Sequence, residues 1–281
     1  MRGDGRWLEG SAGPVSSAAE ARPVQLIRSL LFNTYMYGWM AVLGIAMAPW
    51  ALFSAQGARR TCWLYAHHVL QVLPRLTGIR PEVRGPLPSG GALVAAKHQS
   101  FLDILMIYEA LPRPFFIMKA ILRFAPFLGQ YALRLGCIPV RRGRRAEAIR
   151  EMLAEVRSGR RADGQLVIYP QGTRVAPGAR LPYKVGTFAL YEQLGQPCVP
   201  VAANVGVFWP RRGVLRHPGR AVVEFGEPIP PGLDRAAFMT LLEERIEGAS
   251  NRLLEEAGFP VAPGPAAPVD PIGAAARAAA R

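Results

Sequence analysis

The stretch VAAKHQSFLDIL, residues 94–105, places a histidine between two apolar runs of different character. The run before it, GALVAAK, is short and typical of a buried strand, and the run from Phe101 has the length and composition of a helix. His98 therefore falls in the turn at the carboxyl end of a strand, where open α/β sheets place their sites. Asp103 follows five residues later.

The same alternation of short β-rich runs and helical patterns continues after this stretch. Further strand candidates are FFIMKA, CIPVRR, QLVIYP, CVPVAANVG and AVVEFG. Helix candidates are FLDILMIYEAL, ILRFAPFLGQYALRLG, RAEAIREMLAEVRSG, GTFALYEQLG and a final segment over about 234–257. This order predicts an α/β domain over residues 79–258, with a mixed, largely parallel sheet flanked by helices.

The segment before this domain is markedly apolar. No charged residue occurs from 29 to 58, a run longer than the roughly 20 apolar residues that span a bilayer. A shorter amphipathic helix, TCWLYAHHVLQVLPRLTG, follows it, so we expect residues 29–78 to form N-terminal membrane-embedded helices. Pro49 can break a helix and arginines flank both ends, so a spanning helix and one that enters a single leaflet and returns both stay open. Residues 1–28 and the Pro/Ala-rich residues 259–281 are predicted to be disordered tails.

The net charge of the chain indicates which classes of partner it can bind. The formal net charge is +14 at pH 7, which suits anionic lipid or nucleic acid. Nucleic acid is the weaker candidate, because no basic helix interleaved with stacking aromatic residues accompanies the charge. The three cysteines are widely spaced and lack metal-ligand spacing. We therefore expect buried thiols in a reducing compartment and no metal site.

The spacing of His98 and Asp103 allows two interpretations. If Ser100 caps the helix, Asp103 lies in its first turn, and His98 can fold back so that the carboxylate orients one ring nitrogen and leaves the other free as a base. Alternatively, Ser100 and Asp103 are only a capping pair. The chain has no G-x-S-x-G nucleophile motif. A histidine without a nucleophile partner suits deprotonation of a substrate hydroxyl that attacks an activated acyl group.

A second group of residues follows the strand in LVIYPQGTRV, residues 166–175. The sequence Pro-x-Gly predicts a tight turn, whose backbone N–H groups and Arg174 can form an anion site. Lys184 lies near the start of the next helix, and GCIPVRRG places Arg141 and Arg142 at the end of another strand. Each of these is alone typical of a solvated surface turn. Together at one edge of the sheet they predict a phosphate-binding cleft.

These residues together resemble the glycerolipid acyltransferase family, and more narrowly its bacterial 1-acyl-sn-glycerol-3-phosphate (lysophosphatidate) acyltransferases. The resemblance runs through four blocks in order, over residues from about 30 to 250. The family's H-x-x-x-x-D box is matched by KHQSFLDI, its arginine-ended strand by GCIPVRRG, its P-E-G-T-R block by YPQGTR, and its β-run with a central proline by CVPVAAN.

The resemblance implies an O-acyltransferase of phospholipid biosynthesis. His98, oriented by Asp103, would take the proton of the sn-2 hydroxyl of lysophosphatidate, and the alkoxide would attack the thioester of acyl-CoA or acyl carrier protein. The acceptor would be held by Gln171, Gly172, Thr173, Arg174, Arg141 and Lys184. The resemblance also implies no metal and no bound cofactor, contact with membrane lipids, and a place at the inner (cytoplasmic) membrane with the active domain on the cytoplasmic side.

The third block departs from the family's pattern. Gln171 stands where the family usually has glutamate, and an amide cannot supply the negative charge. Glycerol-3-phosphate, other lysophospholipids and lyso-ornithine lipids therefore stay open as acceptors, as does a membrane lipid-binding protein with a degenerate site. Tyr169 replaces the commoner phenylalanine, a change from which we expect no consequence.

Overall fold

The computed structural model describes residues 15–140, 150, 153, 154 and 164–261 of the 281-residue chain. Its helices are α1 (Val15–Ala46), α2 (Ala48–Phe53), α3 (Ala55–Thr77), α4 (Leu102–Ala110), α5 (Leu128–Leu135), α6 (Gly186–Leu194) and α7 (Arg235–Glu256), with a 3₁₀ helix at Ala120–Phe124. Its strands are β1 (Ile79–Arg84), β2 (Ala92–Ala96), β3 (Pro114–Lys119), β4 (Ile138–Val140), β5 (Gln165–Ile168), β6 (Cys198–Ala203) and β7 (Gly219–Phe225).

The strands form one seven-stranded sheet in the order β1-β7-β6-β2-β5-β3-β4. Every neighbouring pair is parallel except β6 and β7, which run antiparallel. The predicted mixed, largely parallel sheet is confirmed. Because β2 and β5 are neighbours, with Ala95 opposite Ile168, the segments that follow these two strands leave the same edge of the sheet side by side.

The central strands are buried along their whole length. Every residue of β2, β5 and β6 is buried, which explains why these strands read as continuous apolar runs rather than as alternating patterns. Helix α6 packs on β2 and α7 on β6, while α3 contacts α4 and β1. One continuous apolar core extends from Phe32 of α1 to Ile246 of α7.

The apolar N-terminal run does not form a single helix. Helix α1 ends at Ala46, the short helix α2 contains Pro49 in its first turn, and α3 starts at Ala55 with the Ser54 hydroxyl accepting from Gly57 N–H. Helices α1 and α3 pack against each other. Within the described part of the chain, no helix has both the length and the apolar character needed to cross a membrane. The predicted membrane-embedded character of residues 29–78 therefore stays a prediction.

Helix α1 is hydrogen-bonded to the domain that follows. The Gln25 amide donates to the carbonyls of Thr77 (2.9 Å) and Arg216 (2.8 Å), and Arg28 Nε donates to Leu76 O at 2.7 Å. The guanidinium of Arg216 in turn reaches Asn33 Oδ1 at 3.0 Å. These bonds fix α1 to the end of α3 and to the β6–β7 connection.

The structure differs from the sequence prediction at the start of α1, at β1 and in the segment that contains α5. Helix α1 starts at Val15, inside the segment 1–28 predicted as a disordered tail. Strand β1 was not predicted, because Pro81 and three charged residues obscure it; such a strand is tolerated at a sheet edge, where β1 pairs only with β7. The predicted helix ILRFAPFLGQYALRLG is split at Pro126 into the 3₁₀ helix and α5. Most of RAEAIREMLAEVRSG lies outside the described residues.

Candidate active site

His98 lies two residues beyond the end of β2, in the turn that leads into α4, as predicted. The preceding Lys97 N–H donates to Val201 O at 2.8 Å, so β6 holds the turn from one side. On the other side the His98 carbonyl accepts from Val175 N–H at 2.8 Å. The histidine turn is thereby fixed between two other segments of the same sheet edge.

Asp103 makes the contacts that both interpretations of its spacing predict: it faces the His98 imidazole, and it accepts hydrogen bonds within the turn before α4. Its Oδ1 lies 2.8 Å from His98 Nδ1, and its Oδ2 accepts from the N–H groups of Gln99 (2.9 Å) and Ser100 (2.8 Å). The carboxylate is completely buried and the His98 side chain is 12% exposed. A carboxylate facing Nδ1 holds a proton on that nitrogen and leaves Nε2 as the basic one. One oxygen thus orients the imidazole while the other closes the turn.

Helix α4 begins one residue later than predicted. Phe101, not Ser100, occupies the N-cap position, and it makes no side-chain capping bond. The Ser100 hydroxyl still accepts from Leu102 N–H at 3.1 Å, because a serine at this point can satisfy a donor of the first turn. Ser100 is buried and its hydroxyl is engaged in the turn, so it is not placed to act as a nucleophile.

Tyr169 contacts both members of the pair, contrary to the expectation that its hydroxyl has no consequence. Its ring stacks on the His98 imidazole, with centroids 3.9 Å apart and planes 19° from parallel. Its hydroxyl donates to Asp103 Oδ1 at 3.1 Å. Burial, together with the adjacent Asp103 carboxylate, raises the pKa of this hydroxyl well above its usual value. Tyr169 therefore stays protonated and remains a donor.

The predicted anion-binding turn lies beside the histidine. Gly172 has a φ of +68° and donates its N–H to Tyr169 O at 2.8 Å, so a tight turn forms where glycine is favoured. The Lys184 ammonium lies against this turn, since a Cβ on Gly172 would fall 2.3 Å from Lys184 Nζ. Thr173 and Arg174 follow, both partly buried. Within the described residues, the Arg174 guanidinium has no carboxylate partner, which leaves its charge available to an anion.

Gln171 points into the protein interior. Its side chain is 4% exposed, and its amide donates to Leu181 O at 3.3 Å and to Glu247 Oε1 at 3.4 Å. This placement favours a role in holding the turn over the predicted contact with the acceptor. Arg141, the remaining predicted ligand, and Arg142 lie outside the described residues; β4 ends at Val140.

Sequence reasoning overlooked a buried ion pair behind the histidine. Lys97 Nζ lies 2.7 Å from both carboxylate oxygens of Glu247, on helix α7. Lys97 is one of only three lysines and directly precedes His98, a signal that could have marked it. Nothing local marks Glu247, because the two residues are 150 positions apart. No group of side chains suited to hold a metal ion occurs in the part of the chain that the structure describes.

A large cavity elsewhere in the molecule is separate from these residues. It has a volume of about 590 Å³ and is lined by Trp50, Arg59, Trp63 and Tyr108, among others. These residues belong to α2, α3 and the carboxyl-terminal part of α4, whereas Asp103 lies in the first turn of α4. None of the lining residues belongs to the histidine turn or to residues 170–175. The candidate site is therefore defined by its chemistry rather than by this cavity.

Comparison with known proteins finds relatives that are named as acyltransferases. A family model described as Acyltransferase matches residues 67–204. A 1-acyl-sn-glycerol-3-phosphate acyltransferase of Pseudomonas aeruginosa is 27% identical over 83% of this chain and 92% of its own length. The alpha form of the enzyme from Bos taurus is 31% identical over 69% of this chain and 68% of its own length. The crystal structure of the 1-acyl-sn-glycerophosphate (LPA) acyltransferase PlsC from Thermotoga maritima superimposes with a TM-score of 0.66 over 82% of this chain and 97% of that one, at 22% identity. This last likeness concerns the fold.

Proposed function

The chain belongs to the acyltransferase family, and we propose that it is a 1-acyl-sn-glycerol-3-phosphate O-acyltransferase that converts lysophosphatidate into phosphatidate. The observation that carries the proposal is the His98–Asp103 pair, at 2.8 Å, beside a turn that presents Arg174 and Lys184. The printed names of the relatives from Pseudomonas aeruginosa and Bos taurus support lysophosphatidate as the acceptor.

His98 Nε2 is the proposed general base. It takes the proton of the sn-2 hydroxyl as the oxygen attacks the thioester carbonyl, and the developing imidazolium is stabilised by Asp103. The tetrahedral intermediate collapses, the C–S bond breaks, and the imidazolium returns its proton to the leaving thiolate. The products are phosphatidate and a free thiol. Among the described residues, no hydrogen bond engages Nε2, which supports this use of it.

The acceptor's phosphate is the proposed ligand of the second group of residues. Arg174 offers a planar pair of donors that matches a phosphate, and Lys184 adds a point charge at the same turn. Arg141, the residue after β4, is the third proposed contact. Because the His98 carbonyl is bonded to Val175 N–H, the phosphate and the base would be held at a fixed separation.

The acyl donor is proposed to be acyl-CoA or acyl carrier protein, and no bound cofactor or metal is needed for this chemistry. The proposed location is the cytoplasmic face of the inner membrane. Helices α1, α2 and α3 form an N-terminal hairpin (residues 15–77). Large apolar side chains at its tip support this location, since Phe53 is 84%, Ile45 65% and Trp50 44% exposed, and such a patch marks an interaction surface. Contact of this patch with membrane lipids would bring the site to its lipid acceptor.

The test is acyl transfer by the detergent-solubilised protein with both thioester donors. The acceptor panel contains lysophosphatidate, glycerol-3-phosphate, a neutral lysolipid and a lyso-ornithine lipid. His98→Ala should lower kcat by about 10²- to 10⁴-fold, because it removes the base. His217→Ala is the matched control: His217 is exposed and should be replaceable with no loss.

Each outcome decides a different part of the proposal. Transfer to lysophosphatidate that depends on His98 supports both the reaction and the acceptor. Transfer only to another member of the panel keeps the mechanism and changes the acceptor. No transfer to any acceptor from either donor would overturn the proposal in favour of a lipid-binding protein.

A further inference from the structure

A buried charge cluster lies directly behind the histidine turn. Lys97 is 3% exposed and Glu247 is 7% exposed, and the Lys97 ammonium is 2.7 Å from both oxygens of Glu247. Buried charges are tolerated only when they are paired and hydrogen-bonded. The pair therefore locks the residue before His98 onto helix α7.

The same carboxylate is bonded to two further segments. Glu247 Oε1 accepts from the Tyr183 hydroxyl at 2.9 Å and from the Gln171 amide at 3.4 Å. Burial and the nearby Glu247 carboxylate raise the pKa of the Tyr183 hydroxyl, so it remains a donor. Tyr183 directly precedes Lys184, and Gln171 directly precedes Gly172. The Glu247 side chain on α7 thus connects the turn that contains His98, the anion-binding turn that contains Gly172, and the segment that contains Lys184.

The cluster also accounts for the amide at position 171. Lys97 and Glu247 form a neutral pair, and Gln171 adds a donor to Glu247 Oε1 without adding charge. A glutamate at 171 would place a second carboxylate about 3.4 Å from the first, where the two repel. Both Lys97 Nζ and Gln171 Nε2 contact the same oxygen, so a carboxylate at 171 could instead pair with Lys97 if position 247 were an amide.

We propose that Glu247 is a positioning residue of the acyltransferase site, which fixes the base relative to the anion-binding turn, and that Gln171 is an amide because Glu247 already supplies the carboxylate for Lys97. Glu247 acts through Lys97, Gln171 and Tyr183. The part that concerns turnover rests on the proposed function.

The experiment compares Glu247→Gln, Gln171→Glu and the double exchange in the full chain. Each single variant should lower kcat at least tenfold and lower Tm by several degrees, because the first leaves Lys97 unpaired and the second adds an unpaired carboxylate. The double exchange restores one ammonium, one carboxylate and one amide, and should return kcat to within threefold of wild type. Glu244→Gln, at an exposed position of the same helix, is the matched control and should change neither.

A second readout does not depend on turnover. The imidazole NMR signals of His98, assigned by their loss in His98→Ala, should shift in both single variants and return in the double exchange. If the wild type transfers no acyl group but these signals respond as stated, the proposed function fails and the positioning by Glu247 stands.

Other results would overturn the inference. A folded Glu247→Gln variant with unchanged kcat, KM and imidazole signals excludes a positioning role, and a double exchange no better than the single variants excludes the charge matching. If Glu247→Gln does not fold, Lys97→Met with Glu247→Leu removes both charges at once, a change that buried pairs often tolerate. That variant should fold and still lose at least tenfold in kcat, and full activity in it would overturn the inference.

Discussion

Replacing Tyr169 separates the two contacts that this residue makes with the His98–Asp103 pair. Tyr169→Phe removes only the hydroxyl that donates to Asp103 Oδ1, whereas Tyr169→Leu also removes the ring stacked on His98. A hydrogen bond to a charged group contributes about 1.5–3 kcal/mol. Asp103 keeps three other hydrogen bonds, so we expect the lower end of that range. Tyr169→Phe should therefore lower the free energy of unfolding by about 1.5 kcal/mol.

The effect on turnover should follow the ring rather than the hydroxyl. A stacked aromatic pair contributes about 0.5–1.5 kcal/mol beyond its buried area, which corresponds to a loss of about 2- to 13-fold in kcat when the stack no longer holds the imidazole. Tyr169→Phe keeps the stack and should stay within about threefold of wild type. Steady-state rates of transfer to lysophosphatidate measure kcat for Tyr169→Phe and Tyr169→Leu. The control is Tyr37→Phe, at a 62% exposed position.

The pH dependence of stability tests the hydroxyl separately. The pKa of Tyr169 is raised in the folded state, so its contribution is fully present below the unfolded value of about 10 and is lost as the pH rises through the folded value. The difference in unfolding free energy between wild type and Tyr169→Phe should stay constant from about pH 6 to 9 and narrow above about pH 10. Denaturation followed by circular dichroism measures it.

Two results would refute this reasoning. If Tyr169→Phe loses as much kcat as Tyr169→Leu, the hydroxyl rather than the stack holds the imidazole. If neither variant changes kcat by more than the Tyr37→Phe control, the contact between Tyr169 and His98 has no part in catalysis.

Three further predictions concern the anion-binding turn and the thiols. Arg174→Ala should raise KM for a phosphate-bearing acceptor by about 10- to 100-fold with a smaller change in kcat, because it removes a charged hydrogen-bond donor; equal effects from exposed Arg180→Ala would contradict this role. Gly172→Ala should cost about 1–2 kcal/mol of unfolding free energy, because its φ is +68°, and should raise the same KM by displacing Lys184. Cys62 is partly buried, and this burial raises the pKa of its thiol to about 12, so iodoacetamide at pH 8 should leave activity intact, and rapid inactivation through Cys62 would disprove it.

The central part of the fold could be predicted because its signals are local. Strands β2, β5 and β6 are buried on both faces, so they form uninterrupted apolar runs that the sequence displays directly. The turn containing His98 follows from the change of pattern after β2. Edge strand β1 was missed because an exposed strand carries charged residues and proline, which are also typical of loops.

The site was predictable only where its residues are close in sequence. His98 and Asp103 lie on one turn, and Gly172 and Arg174 on another, so spacing and turn chemistry find them. The partners of these turns come from packing. Glu247 reaches Lys97 only because α7 packs on β6, and the Tyr169 ring reaches His98 only because β5 lies beside β2. The local sequence can mark one partner of such a contact, as the rare Lys97 does, but it does not show which distant residue the packing brings to it.

The hydrogen bonds from Gln25 and Arg28 to the end of α3 connect the N-terminal hairpin to the start of the sheet domain. The hairpin shares the apolar core of the sheet domain through Phe32, so it packs as part of that domain. Under the proposed membrane placement, its depth of insertion sets the height of His98 above the lipid surface. The proposed base would then lie at a fixed distance from the lipid surface, and only an acceptor whose hydroxyl reaches that distance would be a substrate.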